Sequence, residues 1–346
     1  MKFNAIVGNP PYQENISSSS DNASLSKQLF PAFIEISIKL KPHFLSLVTP
    51  SRWFTGDAQD KSFLKLRQFI MENNSFQTIK NFPNSRKLFP EVEISGGVNY
   101  FLFNDTHTGD VEFTEYYSED NITTTIRPMF EEGLDIVLSS GKNYKLIQKI
   151  KNSKFASLTK ITQGRNAFGI VGKNVNSISS QSRKNKAEYE LRCKYEEVRF
   201  IDSKYITKNM DIANKWKIFI SKGNGGAGLL TDDKQVAILG KPYLGKPKSV
   251  CTDSLIPIGC FDTEYEASAL LIYIKSKFFR YIVGLLKVSQ NVYQNVYQFV
   301  PIQDFTSKSD INWNKPIHEI DQQLYSKYKL TKEEINFIEE KIKPME

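Results

Sequence analysis

Apolar and polar positions succeed one another along the first third of the chain in a pattern typical of α/β proteins. Four apolar runs predict strands, at residues 3–8, 43–54, 76–81 and 97–103. Two stretches with apolar residues at helical spacing predict helices, at residues 25–41 and 58–71. Because apolar strands that alternate with helices are usually buried on both faces, the pattern predicts a parallel sheet covered by helices on both sides.

The first strand ends in the sequence Asn9-Pro10-Pro11-Tyr12. Proline fixes φ and keeps the preceding residue out of the helical region, so Asn9 and Pro10 are extended and their carbonyls have fixed directions. Two hydrogen-bond acceptors then lie beside an aromatic ring. If the Asn9 side-chain oxygen and the Pro10 carbonyl accept the hydrogens of an exocyclic amine, the lone pair of its nitrogen is freed for methyl transfer. The alternative is a strand-ending turn without chemistry.

Composition places the chain among ordinary globular proteins. Its 346 residues are enough for two domains, and 40% are hydrophobic and 24% charged. Cys193, Cys251 and Cys260 are far apart in the sequence, which favours reduced structural thiols in a cytoplasmic protein over disulfides or a metal site. We expect neither a signal peptide nor a membrane span, because no apolar run is long enough.

Positive charge is concentrated in the middle of the chain. Residues 141–250 contain 23 Lys and Arg against 8 Asp and Glu, a net charge of +15, whereas the whole chain carries +8. This concentration favours double-stranded DNA as a partner over the alternative, a solvated lysine-rich surface. The candidate DNA contacts lie in Gly- or Pro-rich loops and are Arg165, Lys222, Lys246 and Lys248. Each of them is equally well explained as a solvated loop charge.

The run over residues 3–12 resembles the catalytic motif of the amino methyltransferases that use S-adenosyl-L-methionine (AdoMet). It is most similar to the adenine-N6 DNA methyltransferases of restriction–modification systems, type IIG-like, with a gamma-class-like order of motifs. The resemblance implies that Asn9, Pro10, Pro11 and Tyr12 are catalytic, that Tyr12 stacks on a flipped adenine, and that Asn9 also borders AdoMet.

Two further motifs of the family are similar to segments of this chain. Residues 29–33 resemble a helix motif whose last aromatic, here Phe33, lies near the adenine of AdoMet. Residues 86–90, followed by 96–98, resemble a motif whose phenylalanine, here Phe89, packs against the flipped base. For both rings the alternative is packing in the hydrophobic core.

The second half of the chain resembles the target-recognition domain of methylases that are fused to restriction enzymes. The segments that carry this resemblance are residues 163–170, 240–243, 276–280 and a closing strand over 292–304. We therefore predict an α/β fold: a partial Rossmann-like methyltransferase sheet, an α/β target-recognition domain and a helical tail. The predicted parts are a C-terminal catalytic half, a linker, a recognition domain and a tail, at residues 1–110, 111–140, 141–305 and 306–346.

The main AdoMet-binding motif of the family is not evident. A Gly-rich turn should precede the catalytic motif, but only eight residues stand before Asn9. The glycines of residues 218–228 could form a cofactor loop, although residues 231–234 predict a hairpin and favour a DNA-facing loop instead. The chain therefore resembles the C-terminal part of a methyltransferase. A partial sheet exposes an edge, so we expect an N-terminal methyltransferase half or a second copy as partner.

The sequence supports more than one function. The leading hypothesis is a site-specific DNA adenine-N6 methyltransferase subunit or fragment that transfers the methyl group of AdoMet to a flipped adenine. A second is a catalytically silent DNA-specificity module that needs a separate AdoMet-binding half. A third keeps the enzyme but changes the acceptor, because the same tetrapeptide serves methyltransferases that act on protein glutamine or on RNA.

Overall fold

The structure, a computed structural model, describes most of the chain. The described ranges are residues 3–15, 26–56, 60–94, 96–118, 121–131, 135–138, 141–185, 188–194, 197–223, 235–287 and 292–345. The chain forms two compact units, Met1–Lys145 and Leu146–Glu346, and both are mixed α/β structures. Within the described residues, no helix combines the length and the hydropathy needed to cross a membrane.

The first unit contains eight strands and two complete helices in its described part. The strands are β1 (Ala5–Gly8), β2 (Gln13–Asn15), β3 (Ser26–Gln28), β4 (Phe44–Pro50), β5 (Phe76–Phe82), β6 (Val98–Asn104), β7 (Val111–Ser118) and β8 (Asn121–Arg127). The helices are α1 (Phe30–Lys39) and α2 (Ser62–Glu72). Six of the strands form one sheet in the order β1-β4-β6-β5-β7-β8, and β2 and β3 form a separate two-stranded ribbon.

The six-stranded sheet is mixed, whereas the sequence pattern predicts a parallel one. β1 is parallel to β4 and β5 is parallel to β7, but β6 is antiparallel to both β4 and β5. In the connection from β5 to β6 the described residues contain a short 3-10 turn, Ser85–Lys87, in place of a crossover helix. A chain that returns without a crossover pairs antiparallel to the strand it has just left.

The predicted helices form, but they cover one face of the sheet. α1 and α2 contact each other, and their buried residues join Leu45 and Leu47 of β4 in a single core. Side chains alternate between the faces of a strand, so the neighbouring Phe44 lies on the opposite face, where it is exposed. α1 begins later than predicted, because Pro31 occupies its first turn and residues 26–28 form β3.

The acidic stretch that the sequence suggests as a linker begins with two strands of the sheet. β7 and β8 lie within residues 111–140 and extend the sheet beyond β5. Val111 and Phe113 of β7 are fully buried in the core, and half-buried Glu112 lies between them. The buried Val111 and Phe113 show that the stretch contributes to the core, which its acidic side chains obscured.

The second unit contains two small sheets and several helices. Its strands are β9 (Ser179–Ser180), β10 (Tyr189–Arg192), β11 (Val198–Ile201), β12 (Trp216–Ser221), β13 (Tyr243–Gly245), β14 (Ser249–Cys251) and β15 (Leu255–Phe261). They form a four-stranded sheet, β14-β10-β11-β9, and a three-stranded sheet, β13-β12-β15. The helices after α2 are α3 (Gly141–Asn152), which contains the boundary between the units, α4 (Val175–Ile178), α5 (Met210–Ala213), α6 (Glu264–Lys275), α7 (Lys277–Leu286), α8 (Ile317–Lys327) and α9 (Lys332–Lys341).

Two predictions for the C-terminal region have different outcomes. The helical tail is confirmed, since α8 and α9 cover most of residues 317–341. The closing strand predicted over residues 292–304 is wrong, because its described residues form a 3-10 turn, Gln294–Tyr297, and irregular backbone. The buried valines Val292, Val296 and Val300 recur every four residues, which is closer to a helical interval than to the alternation of a strand.

Candidate active site and basic surface

The tetrapeptide Asn9–Tyr12 begins at the carboxyl end of β1, which is the end strand of the six-stranded sheet. Gly8, the last residue of β1, pairs with Leu47 of β4. Pro10 is buried, whereas Asn9 and Pro11 are exposed. The turn is therefore anchored by Pro10 and presents Asn9 to solvent. The carboxyl ends of strands are where α/β sheets bind their ligands.

Tyr12 is held on two sides. Its carbonyl accepts a hydrogen bond from the Leu29 amide at 3.0 Å, and its ring meets the buried Phe30 ring edge-on at 6.5 Å between centroids. Its hydroxyl oxygen is buried and has no hydrogen-bond partner among the described residues. Burial also raises the pKa of Tyr12. The ring is thus fixed by contacts at its backbone and edge.

A row of buried polar side chains crosses the sheet beside the turn. Asn99 of β6 pairs with Thr49 of β4 on one side and with Asn81 of β5 on the other. The Asn99 side-chain amide donates to the Thr49 carbonyl and to Ser51 Oγ, both at 3.2 Å. Ser51 Oγ in turn donates to Asn81 Oδ1 at 2.7 Å. Because a buried polar group without a partner is costly, this network fixes the end of β4.

Arg52 hydrogen-bonds both strands of the ribbon that follows Tyr12, β2 and β3. Its Nη2 donates to Oε1 of Gln13 on β2 at 3.1 Å and to Oε1 of Gln28 on β3 at 2.6 Å. Burial lowers the pKa of Arg52, and its Nε is buried with no hydrogen-bond partner among the described residues. The arginine approaches Gly96, where an added Cβ would lie 3.2 Å from Arg52 Cβ and where φ is +86°. Glycine therefore makes room for this arginine.

Phe33 and Phe89 lie outside the buried core. Phe33 is 42% exposed on α1, so core packing is not its role in the described unit. Phe89 is half-buried in a loop where its amide donates to the Ser85 carbonyl at 2.8 Å and its carbonyl accepts from the Val92 amide at 3.0 Å. Among the described residues, no hydrogen bond or ring contact joins either ring to the tetrapeptide.

In the second unit, Lys246 and Lys248 share one exposed turn between β13 and β14. The buried Lys217 donates from Nζ to the Lys246 carbonyl at 3.1 Å, and also to two carbonyls near the end of α5. Burial lowers the pKa of Lys217 to about 7. The Lys248 carbonyl accepts from the Glu190 amide at 2.9 Å, and Lys248 itself has a φ of +59°. The turn that displays the two lysines is therefore tightly held.

The other two predicted DNA contacts converge on one carboxylate. Arg165 Nη2 lies 3.4 Å from Asp253 Oδ2, and Lys222 Nζ lies 3.9 Å from the same oxygen. Gly223 directly follows Lys222 and is described, whereas the later glycines of the candidate cofactor loop and the predicted hairpin at residues 231–234 lie outside the described residues. The structure thus pairs Arg165 with Lys222, and Lys246 with Lys248.

Sequence reasoning did not find several residues of these sites. Arg52, Asn99 and Asp253 act through partners that are distant in the sequence, so spacing gave no indication of them. One signal was available for Asn99, which is a lone amide in the otherwise apolar run Val98–Phe103. No group of three or more His, Cys, Asp or Glu side chains with metal-binding geometry occurs in the described part of the chain, and all three cysteines are free.

Comparison with known proteins finds relatives of part of the chain. Residues 1–89 match the sequence model of the family described as Eco57I restriction-modification methylase. A protein of Mycoplasma pneumoniae (strain ATCC 29342 / M129 / Subtype 1), named as an uncharacterized adenine-specific methylase, is 33% identical over 126 residues, which are 36% of this chain and 29% of that protein. The resemblance drawn from the sequence is therefore confirmed over the N-terminal part of the chain.

Two solved structures are similar over nearly the whole chain. The type IIG restriction endonuclease BpuSI is 14% identical, with a TM-score of 0.39, over 97% of this chain and 52% of its own. The type IIL restriction-modification enzyme MmeI, in complex with DNA, is 10% identical, with a TM-score of 0.43, over 96% of this chain and 56% of its own. Scores in this range do not establish a shared fold. The chain spans between a quarter and three fifths of the length of these relatives.

The buried network beside the turn yields a stability prediction. Replacing Ser51 by alanine leaves Asn81 Oδ1 and one Asn99 N–H without their partner, so we expect the free energy of unfolding to fall by about 1–3 kcal/mol. Ser118→Ala is the control, because Ser118 is an exposed serine at the end of β7 and the loss of its hydroxyl should leave the free energy of unfolding unchanged. Urea denaturation of both variants measures the difference, and equal stabilities would contradict the network.

Proposed function

We propose that this chain carries the target-binding side of a site-specific DNA adenine-N6 methyltransferase of a restriction–modification system. The observation that carries the proposal is the turn Asn9–Tyr12, which follows the end strand of the sheet with Asn9 exposed and Pro10 buried. This turn lies within the segment that matches the restriction-modification methylases. The basic second unit then supplies the DNA-binding surface.

In the proposed reaction, the turn activates the adenine N6 amine, which is a weak nucleophile. The lone pair of the adenine N6 amine is delocalised into the ring. Asn9 Oδ1 and the Pro10 carbonyl accept the two amine hydrogens, which draws the nitrogen towards tetrahedral geometry and returns electron density to it. When the nitrogen gains its methyl group, the methyl–sulfur bond of the sulfonium donor would break to give a neutral thioether, and one of the two amine hydrogens would leave as a proton to solvent. The amine is thus activated by position and hydrogen bonding, without a charged base at the turn.

A flipped base is also stabilised by stacking on an aromatic side chain. The Tyr12 ring is fixed by Leu29 and Phe30 and remains only half-buried, so one part of it is available for stacking. Phe89 is half-buried on a loop held by Ser85, and we assign it to the other face of the base. Arg52 keeps the ribbon beside Tyr12 in place through Gln13 and Gln28.

AdoMet is the methyl donor that this reaction uses, and the described residues fit only one edge of it. The exposed Phe33 ring can flank an adenine, and Asn9 lies at the strand end. The glycine pair Gly96–Gly97 is closed, since an added Cβ at Gly97 would lie 2.4 Å from the Phe82 carbonyl oxygen, and so cannot cradle a cofactor. We therefore assign the main part of the AdoMet site to a further methyltransferase half.

The edge of the sheet at β1 is a suitable surface for binding the further methyltransferase half. β1 is the end strand, and Val7 on it is 81% exposed while Ile6 packs against the core. Phe44 on the neighbouring β4 is exposed as well. An open strand edge beside an uncovered apolar face is a surface that a further strand and its helix would cover. The half that carries the AdoMet motif is the occupant we propose, in the same polypeptide or as a separate subunit.

A DNA-specificity module without catalysis remains the second candidate function. The described residues of the first unit fit only one edge of AdoMet, which favours the specificity module for this chain acting alone. The basic loops of the second unit suit both functions equally. The net charge of +15 over residues 141–250 disfavours protein glutamine as the acceptor, and the match of residues 1–89 to the restriction-modification methylases favours DNA over RNA. Duplex DNA binding that weakens steeply with salt supports either DNA function.

The role of Asn9 is tested by replacing it with alanine. With a methyltransferase half and AdoMet present, we expect the formation of N6-methyladenine in duplex DNA to fall by about 10²–10³-fold, the loss typical of one positioned polar group. Duplex affinity should stay within about twofold of the parent chain, because Asn9 contacts the amine and not the backbone. Asn121→Ala, an exposed asparagine on β8, is the control and should leave both quantities unchanged. Loss of DNA affinity in Asn9→Ala would show that the asparagine binds DNA in another way.

The partner surface is tested at the two ends of the sheet. Val7→Lys places a charge on the open edge of β1, and we expect it to abolish association with the AdoMet-binding half in sedimentation velocity experiments. Ile126→Lys is the matched control, because Ile126 is 73% exposed on β8 at the opposite end of the sheet. Association that is insensitive to Val7→Lys, or equally sensitive to Ile126→Lys, would place the partner elsewhere.

A further inference from the structure

Three residues that are far apart in the sequence meet at one point of the second unit. Arg165 Nη2 lies 3.4 Å and Lys222 Nζ lies 3.9 Å from Asp253 Oδ2. The other carboxylate oxygen of Asp253 accepts a hydrogen bond from the Gly172 amide at 2.9 Å. A carboxylate among basic loops would weaken a surface whose only task was to attract phosphates. Its presence therefore points to a more specific task.

Asp253 is held in a fixed position by its backbone and by burial of its side chain. It occupies the turn between β14 and β15, and its amide donates to the Ile170 carbonyl at 3.0 Å. The Asp253 side chain is only 16% exposed. Burial by itself would raise the pKa of Asp253, but the Gly172 amide, Lys222 and Arg165 outweigh burial and lower it. The group is therefore a fixed carboxylate that faces both cations.

Arg165 reaches outward from this carboxylate. Its side chain is 60% exposed, and Nη2 is the donor that contacts Asp253, so the guanidinium has further N–H donors to offer. The loop beneath it is anchored, because the Gln163 amide donates to the Pro257 carbonyl at 3.0 Å and the Asn209 side chain donates to the Ala167 carbonyl at 2.8 Å. A planar guanidinium that is held at one edge offers its remaining donors in a defined direction.

We propose that Arg165 reads a guanine in the major groove and that Asp253 is the positioning residue that orients its guanidinium. Two parallel N–H donors of an arginine match the O6 and N7 acceptors of guanine, which is the commonest specific contact between a protein and a base. Lys222, which is 22% exposed, restores the positive charge that Asp253 removes. The inference rests on the DNA-binding function proposed above and adds to it the base that is read.

The test begins with the sequence that the chain itself prefers. Duplexes selected from a randomised pool identify the guanines of the preferred site, and each is then replaced in turn by 7-deazaguanine, which lacks the N7 acceptor. At one position we expect this change to weaken binding by about 5–100-fold, the range of a good base contact. Inosine at the same position keeps O6 and N7, so binding should be unchanged.

Variants of Arg165 and Asp253 show whether these residues make the contact with the guanine. Arg165→Ala should bind the guanine and 7-deazaguanine duplexes equally, because it removes the donors to O6 and N7. Asp253→Asn should lose most of the discrimination while its affinity for unrelated duplexes stays equal or rises, because a negative charge is removed. A purely structural role of Asp253 would instead lower binding to every sequence.

Two lysines serve as controls. Lys246→Ala should weaken binding to all sequences alike. The slope of log K against log salt should become shallower by about one, as expected for the loss of a phosphate contact. Lys308→Ala, an exposed lysine of the C-terminal region, should change nothing. A chain that binds no duplex would overturn the proposed function itself. If the chain selects a sequence but Arg165→Ala or Asp253→Asn keeps the full discrimination, the DNA-binding function survives and the guanine reader is overturned.

Discussion

The parallel pairing of β1 with β4 is the constraint on which the candidate active site depends. Four residue pairs, from Ala5–Phe44 to Gly8–Leu47, fix the register of a strand that has no further neighbour in the described sheet. A shift by one residue would turn Ile6 out of the core and Val7 into it. Since Asn9 follows Gly8 directly, the position of its acceptor oxygen is set by the same register.

The surroundings of the turn reinforce that constraint. The row Thr49–Asn99–Asn81 ties β4 to β6 and β5 with buried hydrogen bonds, and Arg52 ties the end of β4 to the ribbon that carries Tyr12. These contacts stiffen the acceptor side of the site. The proposed cofactor side has no comparable support in the described residues, and we propose that a further half completes it.

Local features of this protein could be predicted from its sequence, and features that arise from long-range pairing could not. The helices α1 and α2 and the strands β4, β5 and β6 follow from spacing and burial alone. The antiparallel insertion of β6 between β4 and β5, and the inclusion of β7 and β8 in the sheet, depend on partners chosen across the chain. The same holds for the sites. The tetrapeptide is visible as a motif, whereas the meeting of Arg165, Lys222 and Asp253 requires the fold.

The central claim is that this chain supplies the acceptor side of an AdoMet-dependent methyltransferase and depends on another half for the cofactor. Calorimetric titration of AdoMet into the chain alone, and into the chain with a methyltransferase half that carries the Gly-rich motif, tests it most directly. We expect no binding heat for the chain alone and one AdoMet per complex, with tighter binding than to the half by itself. Saturable binding of AdoMet to the isolated chain would contradict it.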